Sequence, residues 1–223
     1  MLIRTLTVKG SAKAENRDCA TVFKKGCFHC FLLMDGATGS PDLGGFARQI
    51  RDELQRCMGS LAVEGLSLTQ VNGCLLQALE EIQCKLQRQY LSDAVSLLLV
   101  IHHNGLLRVN SWGDCLLGKV NEVGIPEWLT IPHTFANVLE TAKPISDIAL
   151  DDQRHQLTRS FKARRYTQPD RYSIELEAGE KAILASDGFW ACMSEPEQQS
   201  LLTQPYKKIE LVEDDVSVII FKP

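Results

Sequence analysis

No run in the sequence approaches the ~18 consecutive apolar residues that a membrane-spanning helix requires. The opening MLIRTLTVKGSAKAENRD contains no apolar core long enough for a secretion signal. A basic surplus is missing too: the net charge is -4, which argues against nucleic acid as a partner. Eight cysteines without a secretion signal imply reduced thiols, and so a soluble, cytoplasmic protein. Repeats, low-complexity linkers and compositional breaks are also absent. With 223 residues, 44% hydrophobic and 23% charged, the expectation is one domain spanning 1–223 around an ordinary core, a monomer that touches no membrane.

What is present starts with FLLMDGATGS, residues 31 to 40. Four apolar residues, Phe31 to Met34, read as the end of a buried strand running into Asp35 and Gly36 and a turn of Ala37 to Ser40. A carboxylate set where a core strand ends is costly unless something pairs with it.

The surrounding chain divides readily. Residues 3–9 and 20–33 predict strands, the latter broken by a turn at Lys24–Gly26. Phe46, Ile50, Leu54 and Met58 mark one face of a helix over 45–58. A longer helix is predicted over 67–90, with Ser67 and Gln70 as a capping box. SLLLVIHH, Leu106–Ser111 and Leu116–Val120 predict successive strands, with Asn104-Gly105 turning between the first two. Residues 121–180 are polar and irregular, with room for a short helix in 152–165. KAILASDG predicts a strand, Ser194–Leu202 a short helix with Pro196 in its first turn, and VSVIIF a last buried strand.

Four strand ends carry carboxylates. Asp18 precedes CATVF and Asp214, with Asp215, precedes VSVIIF; Asp35 follows FLLM and Asp187 follows AILAS. If these strands pair antiparallel, the start of one lies beside the finish of its neighbour, and all four meet at one edge. Two bare carboxylates ~4 Å apart repel by about 4 kcal/mol at an effective dielectric of 20, so such a cluster calls for cations. The oxygen-only donor set suits Mg²⁺ or Mn²⁺. Taken singly, each Asp reads equally as a turn or cap residue.

In order, ENRDCATVF, LLMDGATGS, VNSWGDCLLG, LASDGFWACMSEPE and EDDVSVIIF resemble the motifs of the metal-dependent serine/threonine phosphatases of the PPM (PP2C) type, in their short bacterial-like form. RHQLTRS at 154–160 resembles that family's LTR segment, and His133 its DHS position. The resemblance implies an α+β fold, a four-layer αββα sandwich of two antiparallel sheets flanked by helices. It implies two Mn²⁺ or Mg²⁺ ions at one end, with a weaker third. Asp35 would bridge the pair, the Gly36 carbonyl would ligate one ion, and Asp18, Asp187 and Asp214 would complete the shells. Asp114, in the GDC that stands for GDS, would share the third position with Asp187. Asp35 and Asp187 would be central to catalysis: a hydroxide held between the metals attacks phosphorus directly, without a phosphoenzyme. The implied partner is a phosphoserine or phosphothreonine protein, the product of a cognate kinase in signalling.

The sequence departs from that pattern in four places. Lys13 stands where the family clamps phosphate with Arg, and lacks the planar two-donor fork. Arg17 precedes the first Asp and is expected to point away from the metals. Ala37 follows Asp-Gly where some members place a proton-donating His. Asp215 replaces the usual Asn. These departures motivate an alternative, a catalytically silent domain that binds a phosphoprotein or regulator. A small-molecule phosphatase is a further alternative.

Other chemistries fail on residue identity. Cys27 and Cys30 form a CxxC with no second pair to complete a zinc site, and residues three apart on a strand face opposite sides. No cysteine has Arg six positions on, as a cysteine phosphatase needs. Leu33 sits two residues before Asp35, where an aspartyl-phosphate phosphatase of the haloacid-dehalogenase type needs an Asp. His102 and His103 read as a solvated or satisfied pair, Trp112 and Trp190 as core anchors. Lys162, Arg164 and Arg165 read as a solvated run that alternatively helps hold a phosphorylated substrate.

Overall fold

The run AVSLLLVIHH does not alternate because both faces of its strand are covered, a pattern that antiparallel sheets show only when layered on both sides. In the computed structural model, which describes residues 1–37, 44–139, 143–204, 207–209 and 212–223, that strand is the middle of one of two antiparallel sheets. The strands are β1 (Leu2–Val8), β2 (Cys19–Lys25), β3 (Phe28–Gly36), β4 (Ala94–His103), β5 (Leu106–Trp112), β6 (Leu116–Val120), β7 (Pro126–Trp128), β8 (Phe161–Lys162), β9 (Asp170–Glu175), β10 (Lys181–Ala185) and β11 (Val216–Lys222). One sheet has the order β1-β11-β10-β6-β7, the other β2-β3-β4-β5-β9, with β8 paired to β4.

The helices are α1 (Gly45–Ser60), α2 (Leu68–Leu86), α3 (Ile145–Ala149), α4 (Asp187–Trp190) and α5 (Glu195–Thr203). Three apolar layers follow from the strand faces. Leu32, Met34, Leu97 and Leu99 turn outward under α1 and α2, meeting Ile50, Leu54, Leu75 and Leu79. Phe31, Leu33, Leu98 and Val100 turn inward onto Leu184, Ile219 and Phe221 of the facing sheet. Ile183, Val218 and Ile220 point to the far side, under Phe189, Trp190 and Leu201. The result is the expected αββα order.

Local sequence accounts for the helix ends. Ser67 and Gln70 form the expected capping box of α2, and Ser194 with Glu197 forms another on α5, where Pro196 lies in the first turn. Several elements differ from expectation. The second helix ends at Leu86 rather than 90, and β3 runs on through Asp35 and Gly36. Residues 152–165 hold a 3-10 turn, Asp152–His155, and the two-residue β8. The polar 121–180 stretch also supplies β9, whose burial alternates on an edge strand. Thr38 to Ser40 of the predicted turn lie outside the described residues. Among the described residues, no helix is long and apolar enough to cross a membrane.

Candidate functional site

Met34 pairs with Cys19 across β3 and β2, so the next residues outward, Asp35 and Asp18, leave the ladder together. On the facing sheet Ala185 pairs with Val218, and Ser186 N donates to Ser217 O at 3.0 Å. Asp187 therefore opens α4 beside the residues that lead into β11. Gly188 is required there, because a Cβ on it would lie 1.9 Å from the Asp215 carbonyl oxygen. The Ser186 hydroxyl donates to Asp18 Oδ2 at 2.9 Å and joins the two sheets at this end.

A fifth carboxylate arrives from the β5–β6 turn. Ser96, paired with Asp35 across β4 and β3, accepts the amides of Asp114 (2.8 Å) and Cys115 (2.9 Å) on its Oγ. Gly113 makes this turn at φ 102°, where a Cβ would stand 2.3 Å from that Oγ. Trp190 Nε1 donates to the Asp114 carbonyl at 3.0 Å.

The electrostatics are those of a charge cluster. Burial, followed by the charges of Asp18, Asp187, Asp114 and Asp214, raises the Asp35 pKa well above the carboxylate range. Burial pushes Asp18 up to about 7 against the hydrogen bonds of Ser217 and Ser186. Asp114 is likewise pushed to about 7, by burial and then by Asp187. Asp187 is raised by burial and Asp214, opposed by Arg154. Asp18 Oδ1 and Asp114 Oδ1 are both buried without a hydrogen-bond partner. Enclosed oxygen acceptors that repel one another and lack donors fit a hard divalent cation.

Protein cations already meet two of these groups. Lys13 Nζ lies 2.8 Å from Asp214 Oδ1, and Arg154 Nη1 lies 2.9 Å from Asp187 Oδ2. Burial disfavours the Lys13 charge, but the bond to Asp214 and the fields of Asp214, Asp35 and Asp215 outweigh it and raise its pKa. Among the described residues, no three acidic, His or Cys side chains stand as a ready ligand shell.

The structure thus gathers Asp18, Asp35, Asp114, Asp187 and Asp214, with Gly36 beside them at the end of β3 and Lys13 over Asp214. Asp215 does something else: its Oδ1 and Oδ2 accept the amides of Gly10 and Arg17, each at 2.8 Å, and so anchor the loop that carries Lys13 and Asp18. Arg17 Nη1 reaches the Ala37 carbonyl at 3.4 Å. Trp112 and Trp190 are buried as expected. His102 is buried, with Nε2 accepting from Gly105 N at 3.1 Å. Cys30 is buried while Cys27 is exposed, and both are free thiols.

Three contributors escaped the sequence reading. Arg154 lies in the irregular stretch and comes close only through the fold. Ser96 reads as one polar residue in an apolar strand, a signal available but unused. Ser186 was read only as part of SDG. A cavity of about 1090 Å³ is lined by Trp128, Ile131, Ile145, Trp190, Cys192 and Met193 among others; none of the five carboxylates lines it, and it meets the cluster indirectly through Cys192, whose Sγ is 3.5 Å from Arg154 Nη2.

No family model matches the sequence, and no curated protein does. Solved structures do. A serine/threonine phosphatase of S. agalactiae superposes with TM-score 0.83 at 20% identity, covering 100% of this chain and 99% of that one. Stp1 of Staphylococcus aureus gives 0.82 at 18%, covering 99% and 94%. The PPM Ser-Thr phosphatase MsPP of Mycobacterium smegmatis, solved with cacodylate, gives 0.76 at 17%, covering 100% and 98%. The chain has the fold of the bacterial PPM serine/threonine phosphatases.

Proposed function

We propose that this chain is a Mn²⁺- or Mg²⁺-dependent phosphatase acting on phosphoserine or phosphothreonine in a protein partner, and that residues 1–223 form one catalytic domain. One observation carries the reading: five carboxylates converge at one end of the sandwich, two with buried oxygens that have no donor. Fold likeness to phosphatases across the whole chain supports it.

In this reading Asp35, the Gly36 carbonyl, Asp18, Asp187 and Asp214 would hold the cations, and Asp114 would contribute to a weaker further position. When bound, the cations supply a water of lowered pKa and offset charge on the phosphoryl oxygens. The chain's own residues do the rest. Ser186 fixes the Asp18 carboxylate by its hydrogen bond. Lys13, on leaving Asp214, presents one ammonium to the phosphate. Ala37 offers no proton to the leaving oxygen.

The Lys13–Asp214 and Arg154–Asp187 pairs favour a second reading, a silent domain whose acidic end is neutralised internally. Purified protein with Mn²⁺ and an aryl phosphate separates the two. Turnover that chelator and Asp35→Asn abolish supports the enzyme. A folded chain that binds no divalent ion by calorimetry in the millimolar range supports the silent domain. Parallel kinetics on phosphopeptides and small phosphate esters decide between a protein and a metabolite substrate.

A further inference from the structure

His133 lies on the segment joining β7 to the 3-10 turn Phe135–Asn137, and its ring is held at both nitrogens. Gly113 N donates to Nδ1 at 2.9 Å, while Nε2 lies 2.9 Å from Asp170 Oδ2 at the start of β9. The Gly113 amide donates into Nδ1, so the ring proton must sit on Nε2, facing the carboxylate. Arg159 holds the other Asp170 oxygen. The His133 side chain is only 10% exposed.

The backbone makes the same connection. His133 N donates to Gly113 O at 2.9 Å, and Thr158 N donates to His133 O at 2.9 Å. Thr134 bridges Leu157, and Phe135 N donates to Gln156 O. The two ends of the excursion 134–158, which carries Arg154, are therefore stitched together at His133. His133 is in turn stitched to Gly113, the residue before Asp114.

Asp114 needs such a pin. Ser96 holds the amides of Asp114 and Cys115, and Trp190 holds the Asp114 carbonyl, but neither fixes the Gly113 amide that sets the plane of the turn. The Asp114 carboxylate has one buried oxygen with no partner. Its direction is set by Ser96 and by the backbone behind it.

Resting on the phosphatase reading above, we propose that His133 is a positioning residue. It locks the Gly113–Asp114 turn to the root of the 134–158 excursion, and so sets the affinity of the Asp114 position for a divalent cation. Asp170 orients the ring, in the way that an outer carboxylate orients a histidine next to a metal site.

Mn²⁺ titration of the full chain tests this, followed by calorimetry and by tryptophan fluorescence, to which Trp190, bonded to Asp114, contributes. His133→Ala should weaken the weakest class of Mn²⁺ sites by about tenfold, the lower end of what loss of an outer-shell partner costs. The tighter classes should not weaken beyond a factor of about two: the excursion meets their ligands at Asp187 through Arg154, a competing cation whose loosening costs no metal affinity. His133→Asn places an oxygen near Nδ1 and should recover most of the loss. Hydrogen exchange without metal provides a second readout: His133→Ala should speed exchange at Gly113 and in 134–158 together. An unchanged weak class, an Asn variant as impaired as Ala, or unchanged exchange at Gly113 overturns the proposal while leaving the phosphatase reading intact. A parent chain that binds no Mn²⁺ overturns the cation role of His133 together with the metal reading.

Discussion

The hydroxyl of Ser186 donates to Asp18 Oδ2 across 2.9 Å, a bond between the finish of β10 in one sheet and the start of β2 in the other. The same Oγ accepts the Ser217 amide at 2.9 Å. One buried side chain thus ties two strands of its own sheet to a carboxylate of the facing sheet, at the point where the acidic cluster forms.

Replacing Ser186 by Ala removes both bonds at once. The Ser217 N–H is left buried without that acceptor, a loss of about 1–3 kcal/mol. Urea unfolding of the metal-free chain should show it as a lowered midpoint. Mn²⁺ affinity should also fall, about tenfold, because Asp18 keeps only Ser217 of the two hydroxyls that hold it. A stability loss with unchanged Mn²⁺ affinity would show that Ser186 does not orient Asp18 for the cation.

The raised carboxylates give the metal-free chain a pH dependence of definite sign. Folded Asp18 and Asp114 hold protons up to about pH 7, whereas unfolded Asp releases them near ~3.9. Between those limits the folded state binds more protons, so this contribution to stability is fully present below the unfolded pKa and is lost as pH rises through the folded one. In chelator, unfolding free energy should fall from pH 4 to pH 7, and less steeply in Asp114→Asn. Saturating Mn²⁺ should flatten the slope. Identical slopes for parent and variant in chelator would remove Asp114 from the cluster.

In the proposed reading Arg154 would compete with a cation for Asp187. Its pair with Asp187 is largely buried, so Arg154→Ala should lower metal-free stability on the order of 3 kcal/mol. Mn²⁺ should then raise the melting temperature of the variant more than that of the parent, because no guanidinium has to leave. An equal Mn²⁺-induced rise in both would mean that Arg154 does not occupy a cation position.

The contrast between Arg154 and Asp35 shows where the sequence is legible. Asp35, Asp187 and Asp18 stand at the ends of strands whose apolar runs declare them, and antiparallel pairing alone brings such ends together. Helices α1, α2 and α5 were equally plain, because α1 and α2 carry a continuous stripe and α2 and α5 their caps, whereas α3 and α4, five and four residues long, carry neither signal. Arg154 lies in a stretch without periodicity, and its reach to Asp187 depends on how the ends of 134–158 are pinned at His133. No local pattern encodes that. β9 was missed for a related reason: an edge strand buried on one face alternates too weakly among polar residues to stand out from a loop. Asp215, adjacent to a ligand candidate and of the same type, turned out to hold backbone amides, a distinction that only geometry makes.

Lys13 sets an upper bound on phosphate affinity in the proposed reaction. Lys13→Met removes a charge-assisted contact of about 1.5–3 kcal/mol, so kcat/KM on a phosphate ester should fall roughly tenfold to a hundredfold. Lys13→Arg adds the planar fork and should lower KM below the parent value. If both variants keep the parent KM, Lys13 serves only Asp214, its partner in the structure.

In the proposed reaction Ala37 makes the rate depend on the leaving group. Its amide bonds the Ala94 carbonyl at 3.2 Å, and its methyl side chain carries no proton. A nitrophenolate departs readily as an anion and needs no acid, whereas a serine alkoxide is far too basic to leave unprotonated. The parent chain should therefore favour aryl over alkyl phosphates strongly. Ala37→His supplies an imidazole that titrates near neutral pH. General acid catalysis contributes typically about 10²–10⁴-fold, so the variant should gain at least tenfold in kcat on phosphoserine peptides with little gain on the aryl ester. That gain should disappear as pH rises and the imidazole loses its proton. Equal gains on both esters would trace the effect to the loop instead, since a donor to the leaving oxygen acts only where that oxygen needs a proton.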